Sequence, residues 1–233
     1  MIDYELKAPA GEVKLAILDG KGAAIKEFSS QGKENSWMPS EPGMNRFVWD
    51  MRYPGAREIP APPGFVPEEY PHLQAPVAAP GKYMARLTVG GQSYDQPFEI
   101  KRDPRITATD ADLEAQFELM IQIRDSTAEI TEAVDNLRKL RQQLNDSDPA
   151  VLEKLHAIEA TLTRLAGTSP DMLPPKALNN RLAELSSAVQ QADGRPTKQM
   201  YAVYEYLEHL TADQMESLDV LTKQEKSTPG ATK

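Results

Sequence analysis

The chain has 233 residues, 40 % of them hydrophobic, and its 26 basic against 35 acidic side chains leave a formal net charge of −9. That length suits one large domain or two small ones, and the acidic balance excludes a general attraction to phosphate, so nucleic acid is not an expected partner. The absence of cysteine excludes disulfides, thiolate nucleophiles and sulfur-ligated zinc or iron–sulfur sites, and no apolar run approaches the roughly 20 residues of a membrane span.

The opening "MIDYELKAPAG" has neither the basic start nor the apolar centre of a signal peptide, which predicts that the chain as written stays in the cytoplasm. Ile2, Tyr4 and Leu6 alternate like a strand from the second residue, as in the tail of something longer. Val13, Leu15 and Ile17 continue the period of two, "DGKG" (Asp19 to Gly22) supplies residues that accept positive φ, and the chain is expected to return as a hairpin through Ala24 to Phe28. "NRFVWDM" puts Phe47, Trp49 and Met51 on one face of a further strand, with Trp49 as a core anchor and Asp50 and Arg52 as polar partners at its end. "GKYMARLTV" repeats the pattern with Tyr83, Ala85, Leu87 and Val89 inward, and Gly90-Gly91 turns it into "QSYDQPFEI". About six short strands in the first hundred residues predict an immunoglobulin-like antiparallel β-sandwich over residues 1–103.

Residues 53–80 interrupt this pattern with eight prolines, each lacking the amide hydrogen that a central strand needs, and are expected to form a long irregular loop. Composition then shifts. Twelve of the nineteen prolines precede Phe98, whereas Leu, Ala, Glu and Gln dominate after Thr107.

Leu113, Phe117, Met120, Ile123, Thr127, Ile130, Val134, Leu137 and Leu144 form one helical stripe, with Thr109 and Asp112 as a capping box. Asp148-Pro149 caps a second helix with Leu152, Leu155, Ile158, Leu162 and Leu165 inward. "GTSPDMLPP" breaks the chain before a third helix bearing Leu178, Leu182, Leu185 and Val189. "DGRP" turns into a fourth with Met200, Val203, Leu207, Leu210, Leu218 and Leu221 inward. The expected whole is an α+β protein of two domains, the sandwich being followed over 107–225 by an antiparallel three- or four-helix bundle, with a disordered tail at 226–233.

The usual catalytic signatures are missing: no G-x-S-x-G elbow, no H-E-x-x-H and no glycine-rich loop between strand and helix. "DSDPA" from Asp146 begins like a calcium loop but has Ala157 where the closing glutamate belongs, and reads more simply as a helix cap. Two clusters could still carry chemistry. Asp103, Asp110 and Asp112 gather hard oxygen ligands at the domain junction, suited to calcium; Glu68, Glu69 and His72 share the long loop. Read as a stand-alone hydrolase of a small ester, lactone or glycoside, the chain would use His72 or Glu69 as base and the three aspartates to hold a calcium ion that lowers the pKa of bound water. Read plainly, these carboxylates are caps and solvated surface.

The ordered set "VKLAILDGKGAAIKEF", "GMNRFVWDMR" and "APGKYMARLTVGG" resembles the immunoglobulin-like module of flagellar hook-capping proteins and of the C-termini of many secreted bacterial enzymes. There a strand ending in D-x-x-G is followed by a W-D strand and a P-G-x-Y strand. With "DPR" at Asp103 to Arg105 and "DGRPTKQM" near the end, nearly all of residues 1–225 is similar to the C-terminal region of bacterial Asp-box (BNR) or sortilin-type glycosyl-hydrolase-like proteins. The resemblance implies a propeller domain as parent or partner, an exported full-length relative, no catalytic residue in this region, and no cofactor. The leading expectation is therefore a non-catalytic accessory or interaction module, with the calcium-assisted hydrolase as the alternative.

Overall fold

The computed structural model describes residues 1–57, 59, 73–144, 148–163 and 177–227. Among them the order is β1 (Ile2–Leu6), β2 (Val13–Leu18), β3 (Ala24–Ser29), β4 (Gly43–Phe47), β5 (Gly81–Val89), β6 (Gln92–Ile100), α1 (Asp110–Leu144), α2 (Pro149–Leu162), α3 (Leu178–Val189) and α4 (Lys198–Ser227). This is α+β content, with antiparallel strands first and helices after them. The chain divides into two compact units: of the described residues, 1–54, 75–117 and 193–195 belong to the first and the others to the second. The sequence reading draws its boundary at 103–107, whereas the division by packing falls within α1, after Phe117. Within the first unit Phe117 meets Tyr53 with ring centroids 4.8 Å apart.

The first unit holds two sheets, one of four strands in the order β3-β2-β5-β6 and one of two, β1-β4. Strand β2 is paired on both edges and leaves Val13, Leu15 and Ile17 at most 1 % exposed, the burial that period-two alternation requires. Asp19 closes the β2–β3 hairpin by accepting, through Oδ1, the amide hydrogens of Lys21 (2.9 Å) and Ala23 (2.8 Å), while Gly22 takes φ of 84°. This is the local work of the D-x-x-G motif. Gly90 and Gly91 have φ of 57° and 79°, the two positive values of a type I′ turn, and join β5 to β6.

That two-residue turn makes Val89 and Gln92 a hydrogen-bonded pair, so by alternation Met84 and Pro97 form a non-hydrogen-bonded one. Pro97 therefore directs its missing N–H to the free edge of β6, where it disfavours pairing with a further strand.

One expected strand ends early. Strand β4 stops at Phe47, and although Asn45, Phe47 and Trp49 alternate inward, Met51 is 47 % exposed with φ of 57°. The chain turns at Asp50, whose Oδ1 accepts the Arg52 amide hydrogen at 3.1 Å, so Met51 leaves the inward face assigned to it from the alternation.

In the second unit all four helices contribute to one apolar core, from Leu119 on α1 to Leu221 on α4. Asp148 caps α2 as expected, accepting from Ala150 and Val151. Glu159 on α2 meets Arg138 and Arg141 of α1, so α2 runs back along α1 as its chain advances. The helices α1 and α4 run parallel. Ser126 and Tyr204 are hydrogen-bonded at 3.0 Å, and further along both chains Leu140 and Leu144 line the same groove as Leu218 and Thr222. On α4 the inward phase passes through Tyr204 and Leu207, leaving Val203, expected inside, 46 % exposed. The helix continues to Ser227, two residues into the expected tail; Leu165, the "GTSPDMLPP" break and 228–233 lie outside the described residues.

Glu159 is a buried carboxylate held between two guanidinium groups, at 2.7 Å from Arg138 Nε and 3.0 Å from Arg141 Nη1. Its side chain is 1 % exposed, against 33 % and 44 % for the arginines. Loss of each side of the clamp has a different cost. Arg138→Ala with Arg141→Ala leaves a buried, unpaired charge and should lower the unfolding free energy in urea by about 3 kcal/mol or more. Glu159→Leu should cost distinctly less, because the arginines it releases already reach water.

Candidate functional site

His72 and Glu69, the candidate catalytic pair, lie outside the described residues, as do Glu68 and Tyr70. What is described is the stem from which their segment departs. The Tyr53 amide donates to Pro76 O at 2.9 Å and the Ala78 amide to Met51 O at 2.7 Å, on either side of an antiparallel bridge between Arg52 and Val77. The Arg52 guanidinium adds a bond to Ala75 O at 2.5 Å. Both ends of the proline-rich segment are thus pinned side by side.

The three aspartates proposed as calcium ligands have separate partners. Asp103 is gripped by the Arg105 guanidinium, with Nη2 at 2.6 Å, which lowers its pKa. Asp110 pairs with Arg102 at 3.1 Å. Asp112 accepts from Arg195 Nε at 2.8 Å, and from the hydroxyl (2.7 Å) and amide (3.0 Å) of Thr109 in the expected capping box. Among the described residues no three His, Cys, Asp or Glu side chains assemble as a metal-binding group. Nearby arginines at 102 and 105 were the sequence signal for this outcome.

A larger feature lies between the sheets of the first unit. The four-stranded sheet presents Leu15, Ala85 and Leu87 in register with Gln96 and Tyr94 on its inner face, and among the described residues the second sheet has two strands. The uncovered part is a slot of about 880 Å³, walled by β6, by the start of β1 and by residues 48–51 after β4. Its floor is aromatic: Trp49 and Phe98 line it and meet edge-on at 6.4 Å, and both rings contact the buried Tyr83, which is outside the lining, at 6.2 Å and 5.7 Å. Trp49 is 7 % exposed, the core anchor expected of it, and its Nε1–H donates to Arg52 O at 3.2 Å.

The mouth is apolar as well. Met1 (83 % exposed), Val48 (64 %), Tyr94 (58 %) and Met51 (47 %) all border this slot, although side chains of this kind are normally scattered singly over a surface. The charges around them are neutralised locally: Asp3 by Arg46 at 2.8 Å, Asp95 by Arg86 at 2.7 Å and Glu99 by Lys101 at 3.8 Å. A ligand entering here would be selected by apolar shape more than by charge. Among its described lining residues the titratable side chains are Asp3, Tyr4, Tyr94, Asp95, Glu99 and Lys101.

The alternation in "QSYDQPFEI" carries a trace of this arrangement. Its inward positions are Gln92, Tyr94, Gln96, Phe98 and Ile100, and glutamine at two of them matches the exposure of this end of the face among the described residues. Comparison with known proteins yields no match for the chain among family models, curated proteins or solved structures. Fold and slot therefore define a class, an α+β protein with an open apolar cleft between antiparallel sheets.

Arg195 and then Thr109 hold the Asp112 carboxyl at about 2, against 3.8 ordinarily. Because the folded-state pKa is the lower one, the contact stabilises the fold above the unfolded value, and that contribution disappears as pH falls from about 3.8 through about 2. Carboxyl NMR titration should show the Asp112 pKa rising towards 3.8 in Arg195→Ala, and by less in Thr109→Ala.

Proposed function

We propose that the chain is a non-catalytic accessory or interaction module, an immunoglobulin-like sandwich followed by a helical bundle in which α1 and α2 are antiparallel and α1 and α4 parallel, like the C-terminal region of glycosyl-hydrolase-like proteins. The observation that carries this reading is the slot: a concave aromatic floor, a mouth of four exposed apolar side chains and a charge-balanced rim suit the capture of an apolar segment of another domain. By the resemblance, that domain is a propeller. The backbone at Met51, held at φ of 57° on the slot mouth, is an outlier of the kind that gathers at ligand clamps.

The hydrolase alternative would need the three aspartates to leave Arg105, Arg102 and Arg195 and to converge on one ion. An interaction module needs no such rearrangement. On this reading calcium should leave the melting temperature unchanged, and purified protein should turn over no ester, lactone or glycoside with calcium or with chelator. Chelator-sensitive turnover abolished by Asp112→Ala would overturn it.

The slot has its own readout. Native protein should enhance the fluorescence of an anilinonaphthalene sulfonate dye, and Val48→Lys with Tyr94→Lys should remove most of that enhancement. Both positions are more than half exposed, so the double variant should alter stability by no more than about 1 kcal/mol, measured in urea. Enhancement unchanged by the two substitutions would show that the slot is not the exposed apolar site.

A further inference from the structure

The second unit carries a different surface. Where α1 and α4 run side by side they leave a groove of about 840 Å³ on a floor of Ala133, Leu140, Leu144, Met215 and Leu218. Along α1 it extends from Glu129 to Leu144, about 22 Å at the helical rise, which is the length of a four-turn helix. Its apolar positions belong to two parallel helices, the arrangement against which a further amphipathic helix packs.

The rim is acidic for a traceable reason. On α1, Arg138 and Arg141 are turned to Glu159 on α2, while Asp135 is met by Arg57. On the groove side this leaves Glu129 and Glu132, neither with a basic partner among the described residues, beside a single lining lysine, Lys139, while Asp219 of α4 pairs with Lys223. The negative field of Glu129 also reaches inward. With burial as the main cause, and with Glu208, it helps to raise the pKa of Tyr204.

We infer that the α1/α4 groove is a docking site for a basic amphipathic helix of another protein, whose apolar stripe covers Leu140 and Met215 while its lysines or arginines meet Glu129 and Glu132. This site is separate from the slot of the first unit and stands or falls independently of it. Charge complementarity selects the occupant. An acidic or neutral helix would bury the same apolar area but leave the two glutamates facing like charge or none.

The test uses the full chain and two fluorescein-labelled 18-residue peptides, each with Leu at i, i+3, i+4 and i+7, one with Lys and one with Glu elsewhere. Anisotropy should show saturable one-to-one binding of the Lys peptide and none of the Glu peptide. Glu129→Lys with Glu132→Lys should weaken the Lys peptide at least about tenfold. Glu5→Lys with Glu27→Lys, the same charge change on the first unit, should alter affinity by less than about twofold. Met215→Asn, at a half-buried floor position, should weaken binding several-fold while its helical circular dichroism and melting temperature stay near wild type.

Equal binding of the two peptides, or equal loss with the Glu5 and Glu27 reversals, would overturn the assignment by showing general adhesion or general charge attraction. A dimer in sedimentation that Met215→Asn dissociates would overturn it in favour of a second copy of this chain.

Discussion

Strand β2 is the constraint on which the first unit rests. It is hydrogen-bonded to β3 on one edge and β5 on the other, and it buries Val13, Leu15 and Ile17 almost completely. A slip of one residue in either ladder would turn those three side chains outward and Lys14 and Ala16 inward, so the register of the whole four-stranded sheet follows from this one strand. Hairpin turns then extend the sheet to each side, through Asp19 and Gly22 towards β3 and, beyond β5, through Gly90 and Gly91 into β6.

The slot is a consequence of unequal sheets. Among the described residues, four strands opposed by two leave apolar area on β5 and β6 bordering the slot, and Pro97 protects the edge of β6. The second unit shows the complementary device: Glu159, the one deeply buried carboxylate among the described residues, is matched by two arginines from the neighbouring helix, and those arginines are thereby turned away from the acidic rim of the groove.

Much of this was legible along the chain. The alternation of β2 and β5, the glycine turns, the Thr109–Asp112 capping box and the Asp148-Pro149 start are local features, and each formed where local chemistry placed it. Met51 and Val203 depart from the periodic pattern because an Asx turn at Asp50, and the helix phase through Tyr204, redirect their side chains. The burial of Glu159 has no local sign, since a single glutamate on a helix is buried only through its partners on another helix.

The candidate sites illustrate the same limit. Asp103, Asp110 and Asp112 are close in sequence, which suggested one ligand set, yet each side chain takes the guanidinium nearest to it in space, and for Asp112 that group comes from Arg195, 83 residues away. By itself the sequence determined the α+β order, the turns and the helix caps, because these depend on backbone conformation and on neighbours within a few residues. Tertiary structure alone decided which apolar side chains border the slot and that, among the described residues, Glu129 and Glu132 lack a counter-charge along the groove. Burial and pairing are properties of surfaces brought together from distant parts of the chain, and no local pattern records them.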